Sequence, residues 1–187
     1  SAKCTQCDAG EAGTGTDGTC EVCSSGQYRT GKMKDATTCV KCPAGYSQRD
    51  EGQASCLPCI PGEFQNVPGK SSCEQCPENT KSEEANSTQC DSCGDGAKSD
   101  AGSAKCTQCD AGEAGTGTDG ACELCAKGQY RPSKEDDGIT ITDPTQCLVC
   151  PAGYHSDTGS TKCQLCGAGT YSDVDGENCK KCALKFA

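Results

Sequence analysis

Cys39 to Cys59 reads CVKC-PAGYSQRDEGQAS-CLPC, two CxxC pairs flanking thirteen residues. The intervening residues hold one aromatic, Tyr46, two glycines, Gly45 and Gly52, and no apolar run. No helical period is present. Gly45, three residues past the first pair, reads as a turn needing positive φ. The dipeptide after it, Tyr46-Ser47, reads as part of a strand of two to four residues. Burial at about 25 cal/mol per Å² cannot offset chain entropy with so few large side chains. The cysteines must hold such a segment together.

The same frame runs along the chain. All 22 cysteines fall in eleven CxxC pairs, with first members Cys4, Cys20, Cys39, Cys56, Cys73, Cys90, Cys106, Cys122, Cys147, Cys163 and Cys179. Successive steps are 16, 19, 17, 17, 17, 16, 16, 25, 16 and 16 residues. A short, nearly fixed period marks a one-dimensional array of small units. Of the 187 residues 33% are hydrophobic, a class that includes the cysteines, and there is no Trp, one Met and two Phe. That composition argues against a conventional globular enzyme and for a disulfide scaffold. No apolar run approaches the roughly 18 residues that cross a membrane. The net charge is −10 and the basic residues are scattered. No stripe is available to neutralise nucleic-acid phosphates or an anionic membrane surface. The acidity reads as solubility.

A longer repeat overlies the short one. Ser1 to Gly18, SAKCTQCDAGEAGTGTDG, recurs unchanged from Ser103 to Gly120, and the likeness continues to Arg29 and Arg131. The unusual steps fall only after Cys20 and after Cys122. Proline follows the CxxC directly at Pro43, Pro77 and Pro151. Tyr46, Tyr154 and Phe186 lie four residues past a pair, and Tyr28, Phe64, Tyr130 and Tyr171 lie five past. These phases predict doublets of about 34 residues, with boundaries at 1–38, 39–72, 73–105, 106–146, 147–178 and an incomplete 179–187. The 106–146 doublet carries an insertion, and its Ile139-Thr140-Ile141-Thr142 alternation predicts one arm of a protruding hairpin. The expected fold is small and disulfide-rich: a tandem array of short β-hairpin modules forming an elongated rod, with almost no helix. The chain opens inside the pattern, at Ser1-Ala2-Lys3-Cys4, and reads as a mature segment of a longer array.

Two chemistries suit paired CxxC motifs. Four-thiolate zinc sites have this spacing. Against zinc stand the odd number of pairs, the single histidine, His155, and loops rich in Ser, Thr, Gly and Asp. Disulfides in an extracellular setting are the preferred reading. Spacing alone leaves connectivity open. Crossed pairing inside doublets joins Cys4 to Cys20 and Cys7 to Cys23. It continues as Cys39–Cys56, Cys42–Cys59, Cys73–Cys90, Cys76–Cys93, Cys106–Cys122, Cys109–Cys125, Cys147–Cys163 and Cys150–Cys166, leaving Cys179 and Cys182 over. The competing ladder begins Cys7–Cys20 and Cys23–Cys39, and it strands Cys4 and Cys182 singly.

Cys73 to Cys93, CEQCPENTKSEEANSTQCDSC, resembles the ephrin-receptor-like cysteine-rich repeat. Gly26-Gln27-Tyr28-Arg29 and Gly128-Gln129-Tyr130-Arg131 match the family's tail. Cys147 to Tyr154 and Cys163 to Tyr171 are similar to its protist and algal versions. The pattern is also close to tumour necrosis factor receptor-like and EGF-like modules and to CxxC-rich surface antigens of protists. The resemblance implies crossed disulfides, an elongated shape and extracellular or cell-surface placement. The segments 8–18 and 110–120 depart from it by lacking the aromatic.

Other candidates are few. The aromatics are expected to cover their own disulfides as miniature cores, with sugar stacking as the rival. Asp173, Asp175 and Glu177, like Glu135, Asp136 and Asp137, complete no twelve-residue calcium loop. A catalytic CxxC sits on a helix with a lowered thiol pKa, and with one histidine and no elbow motif no catalytic residue is expected. No cofactor or metal is expected. Asn86-Ser87-Thr88 is a glycosylation sequon, which makes Asn86 a candidate glycan carrier. The functional expectation is an extracellular structural repeat protein of a surface coat, stalk or filament, partnered by its own kind. A ligand-binding ectodomain using the 135–144 hairpin is the alternative, and a zinc array the third.

Overall fold

The computed structural model describes residues 7–13, 18–31, 37–116, 120–133, 143 and 145–183. Cys4, the predicted arm at Ile139 to Thr142, the acidic run from Glu135 to Asp137 and Phe186 lie outside the described residues. Among the described residues there is no helix, and every regular element is a strand of two or three residues. Two compact units are formed, one of Ser1–Asp91 with Asp100–Lys105, the other of Ser92–Ser99 with Cys106–Ala187.

Within the first unit the strands pair as consecutive antiparallel hairpins. Glu11–Gly13 pairs with Cys20–Val22, and Gln27–Tyr28 with Val40–Lys41. Tyr46–Ser47 pairs with Leu57–Pro58, and Glu63–Phe64 with Glu74–Gln75. The second unit repeats the plan. Ala97–Lys98 pairs with Thr107–Gln108, Glu113–Gly115 with Cys122–Leu124, and Gln129–Tyr130 with Leu148–Val149. Tyr154–His155 and Thr170–Tyr171 then pair with Gln164–Leu165 and Lys180–Lys181. In each hairpin the first strand follows a turn after one CxxC, and the second contains the inner residues of the next CxxC. Two-residue hairpins are marginal by themselves, so each needs a clamp.

That pairing decides the disulfides. It sets the last cysteine of one CxxC across the hairpin base from the first cysteine of the next. The bonds are Cys7–Cys20, Cys23–Cys39, Cys42–Cys56, Cys59–Cys73 and Cys76–Cys90 in the first unit. In the second they are Cys93–Cys106, Cys109–Cys122, Cys125–Cys147, Cys150–Cys163 and Cys166–Cys179. This is the ladder, and it corrects the crossed pairing. Cys39 cannot reach for Cys56, because Cys39 closes one hairpin with Cys23 and Cys56 closes the next with Cys42. The same holds down the array. Cys20 is taken by Cys7, Cys90 by Cys76, Cys122 by Cys109 and Cys163 by Cys150, so none is left for Cys4, Cys73, Cys106 or Cys147. Cys179, expected to be left over, is bonded to Cys166. Cys182 is free and exposed. With twenty sulfurs bonded in pairs, no thiolate set remains among them for the zinc array. Most bridges close loops of 13 to 16 residues, each worth about 3 kcal/mol in the chain-entropy model.

The buried apolar residues are Ala12, Ala114 and seven cysteines, each the second of its CxxC. The aromatics are not the core. Tyr28, Tyr46, Phe64 and Tyr130 are half-buried, while Tyr154 and Tyr171 are exposed. The rest of the buried set is polar: Arg29, Gln48, Gln65, Ser82, Ser99, Ser156 and Ser172, each directly after a two-residue strand. The Gln65 amide donates to the Ser72 carbonyl at 2.9 Å and accepts from the Val67 N–H at 3.0 Å. Gln48 ties its loop in the same way, to Ser55 and Asp50. The Arg29 guanidinium donates to the Glu11 carbonyl at 2.6 Å and reaches those of Cys7 and Asp8. Among the described residues no buried side-chain nitrogen or oxygen lacks a partner. Polar groups are tolerated in such a core because all are satisfied.

Peptide mapping without reduction is expected to recover Cys23 joined to Cys39 and Cys42 joined to Cys56. A peptide joining Cys39 to Cys56 would contradict this pairing. Gln65→Leu should lower stability by about 1–3 kcal/mol, because it orphans the Ser72 carbonyl and the Val67 N–H. Thermal melting of the disulfide-intact protein measures it.

Candidate functional site

The feature that recurs most faithfully is the seam between successive hairpins. At Gly10, Gly26, Gly45, Gly62, Gly112, Gly128 and Gly153 the turn glycine after a CxxC donates its N–H to the carbonyl of the residue that follows the next hairpin's first strand. Gly26 donates to Gln48 and Gly45 to Gln65, each at 2.7 Å, and in the second unit Gly128 donates to Ser156 at 3.0 Å. Its own carbonyl accepts from a cysteine N–H of the next CxxC, as with Cys42 to Gly26 and Cys59 to Gly45, each at 2.9 Å. A third bond comes from the next hairpin's loop, where the Gly69 N–H donates to the Cys42 carbonyl and the Asn86 N–H to the Cys59 carbonyl, each at 2.8 Å. These are main-chain groups, so the seam tolerates wide variation in side chains.

The seam also sets a steric condition. Gly45 has φ +83°, and a Cβ there would overlap the carbonyl of Asn86, which belongs to the loop two hairpins on. Gly10 meets Gly52, Gly26 meets Gly69, Gly62 meets Gly102, Gly112 meets Gly159 and Gly128 meets Gly176 in the same way. Glycine is therefore required twice over, for its φ and for the approach of a foreign backbone. Side chains from the CxxC cover the loop glycines. Val22 lies against Gly52, Lys41 against Gly69 and Gln75 against Gly102, as Leu124 lies against Gly159 and Val149 against Gly176. Gly153 (φ +86°) and Gly169 (φ +79°) share the backbone conformation, yet no atom of the described residues lies within 4 Å of where a Cβ would stand. The Cys182 N–H is seated on the Gly169 carbonyl at 2.9 Å, as its counterparts are.

The remaining candidates fall apart as ligand sites. Asp175 accepts from the Ala152 N–H at 2.8 Å, while Glu177 is hydrogen-bonded to Lys180, which also lies 4.0 Å from Asp173. That acidic trio is spent on a backbone amide and a lysine. His155 pairs with Gln164 across its hairpin. A hollow of about 470 Å³ in the second unit is lined by Glu123, Leu124, Gln129 and Gln146 among others, with Glu123 the one ionisable side chain among the described residues that line it. Lys98 bridges to Asp110 at 2.8 Å and Glu113 at 2.7 Å. Those bonds, Asp110's first, hold its ammonium charged to higher pH than an ordinary lysine. Lys81 lowers the Glu83 carboxyl by the same means. The hydroxyl and then the N–H of Thr145 lower Asp143. Water screens such exposed pairs, so they add little to stability. Asn86 is exposed, at the tip of the loop closed by Cys76–Cys90.

Sequence reading missed the buried polar residues and the glycine-to-carbonyl approach. The available signal was the polar residue at 48 and 65, directly after the strand, which becomes meaningful only once the strand ends at 47 and 64. Among the described residues no helix is long and apolar enough to cross a membrane.

Residues 45–93 match the family model described as tyrosine-protein kinase ephrin type A/B receptor-like. The matched stretch contains the Cys59–Cys73 and Cys76–Cys90 hairpins and the Asn86 loop. No curated protein matches the chain. The matched repeat and the ten bridges point to an extracellular, disulfide-rich repeat protein at or outside the cell surface.

Gly153→Ala is expected to cost about 1 kcal/mol, the ordinary penalty for an L-residue in the left-handed region. Gly45→Ala, with the same φ requirement and the Asn86 carbonyl in its way, should cost more than about 2 kcal/mol. Denaturant unfolding of the two variants compares them directly, and equal losses would mean that the seam imposes no steric demand.

Proposed function

We propose that the chain is an extracellular structural repeat protein, a building block of a surface coat, stalk or filament, that works by stacking like modules rather than by catalysis. The observation that carries this reading is the seam. Within each unit successive hairpins are held together by the same main-chain bonds, and a loop carbonyl rests on a glycine two hairpins back. An interface built from backbone can be repeated with any loop sequence, so length is gained without new recognition chemistry. The near-identical segments 1–18 and 103–120 fit such a use. The same seam made between copies of the chain would be a heterologous contact. A heterologous contact of that kind, repeated, builds an open linear polymer. The elongated rod belongs to this proposal, as do self-association and secretion.

The test is the chain secreted from cells, purified with its bridges intact and followed by light scattering and negative-stain electron microscopy. Linear assemblies that lengthen with concentration are expected. Monodisperse short monomers at every concentration would refute the assembly role. Saturable capture of one soluble ligand by those monomers would then favour the receptor-like alternative.

A further inference from the structure

Among the described residues the loop turn that docks on the preceding hairpin is glycine at five positions and asparagine at one. Gly52, Gly69, Gly102, Gly159 and Gly176 have φ between +69° and +85°, and each donates its N–H to a cysteine carbonyl at 2.7 or 2.8 Å. Asn86 does the same work with φ +57°, donating to the Cys59 carbonyl at 2.8 Å while its own carbonyl rests on Gly45. Asparagine is one of the few residues with a side chain that enters this region readily. The covering residue differs as well. The five glycines are overlaid by Val22, Lys41, Gln75, Leu124 and Val149, the second inner residue of a CxxC. The residue in that place for Asn86 is Pro58, a closed ring with no reach. The Asn86 side chain is exposed, and so are Glu83, Glu84, Ala85, Thr88 and Gln89 around it. Asn86 is also the first residue of Asn86-Ser87-Thr88.

We propose that Asn86 carries an N-linked glycan, and that asparagine stands at this turn because one residue then serves as both left-handed turn and sugar acceptor. In the transfer, the Asn86 amide nitrogen bonds to the anomeric carbon of an oligosaccharide borne on a polyprenyl pyrophosphate. The anomeric carbon–oxygen bond breaks, the pyrophosphate leaves with the electron pair, and the amide gives up one proton. Nothing is oxidised or reduced. The Thr88 hydroxyl supplies the third position that the acceptor sequence demands. The backbone of Asn86 stays bonded to Cys59, so the sugar projects from the array without disturbing the seam. This inference rests on the extracellular reading, since the donor is met on the secretory route.

The experiment expresses the full chain behind a secretory leader in eukaryotic cells. It then reads intact mass before and after peptide N-glycosidase in heavy-oxygen water. Loss of one glycan's mass with conversion of residue 86 to a heavy-oxygen-labelled aspartate is expected. Thr88→Ala and Asn86→Gly should both be secreted with the full bridge map, unchanged melting and no glycan. Asn86→Gln should lose the glycan and melt lower, because it removes the residue suited to the turn. A secreted, fully bridged wild-type chain with unmodified Asn86 overturns the proposal and leaves the extracellular reading standing. Sugar retained in Thr88→Ala overturns it too. A chain held inside the cell with reactive thiols and no glycan overturns both readings.

Discussion

A carbonyl oxygen seated against a glycine Cα, where any other residue would place its Cβ, is the contact on which the array depends. It is made between a turn and a loop two hairpins apart, as at Gly45 and Asn86. Because glycine leaves room for it, the hairpins can come close enough for the intervening N–H groups of Gly45, Gln65 and Cys59 to find their carbonyls. Buried amides left without partners would each cost about 1–3 kcal/mol. The contact therefore acts through the bonds it permits. The disulfide across each hairpin base keeps strand and loop together long enough for the seam to form, and it restricts the unfolded chain besides.

The core that results is unusual in its chemistry. Half-cystines fill its centre, and polar side chains such as Gln48 and Gln65 close it. This inverts the ordinary expectation that aromatics shield sulfur. A hairpin with two-residue strands has too little area to bury a tyrosine ring fully, so Tyr154 and Tyr171 remain exposed. A glutamine at the adjacent position spans its own loop with one donor and one acceptor, a task no aliphatic side chain performs. The interface is consequently built of polar, main-chain material, and the acidic surface lies outside it.

Much of this was legible in the residues. The CxxC steps announced a tandem array of small hairpins, and the glycine three places past most pairs announced a turn with positive φ. Gly10, Gly26, Gly45, Gly62, Gly112 and Gly128 have that conformation. The disulfide partners were not legible. Crossed and ladder pairings join cysteines at similar separations, 16 or 17 residues against mostly 13 to 16, so entropy hardly separates them. What separates them is which strands pair. Tyr46–Ser47 lies against Leu57–Pro58, inside the next CxxC, and this brings Cys42 and not Cys39 to Cys56. The phase read from proline and aromatic positions reflects side-chain alternation, which the backbone pairing ignores. Asn86 was visible as a sequon, but its equivalence to five glycines required the register.

By itself the sequence determined the covalent frame: a repeating period, cysteines at a density that replaces an apolar core, and glycines where the chain must turn left-handed. These are properties of single residues and of their spacing, so they can be counted. Tertiary structure alone decided the ladder pairing, the polar core and the second reason for each glycine. The first two depend on which strands pair and which loop atoms a side chain then meets, and the last on atoms some forty residues apart meeting within van der Waals distance, as Gly45 and Asn86 do. Such an approach is set by the stacking of three consecutive hairpins, and no local pattern encodes it.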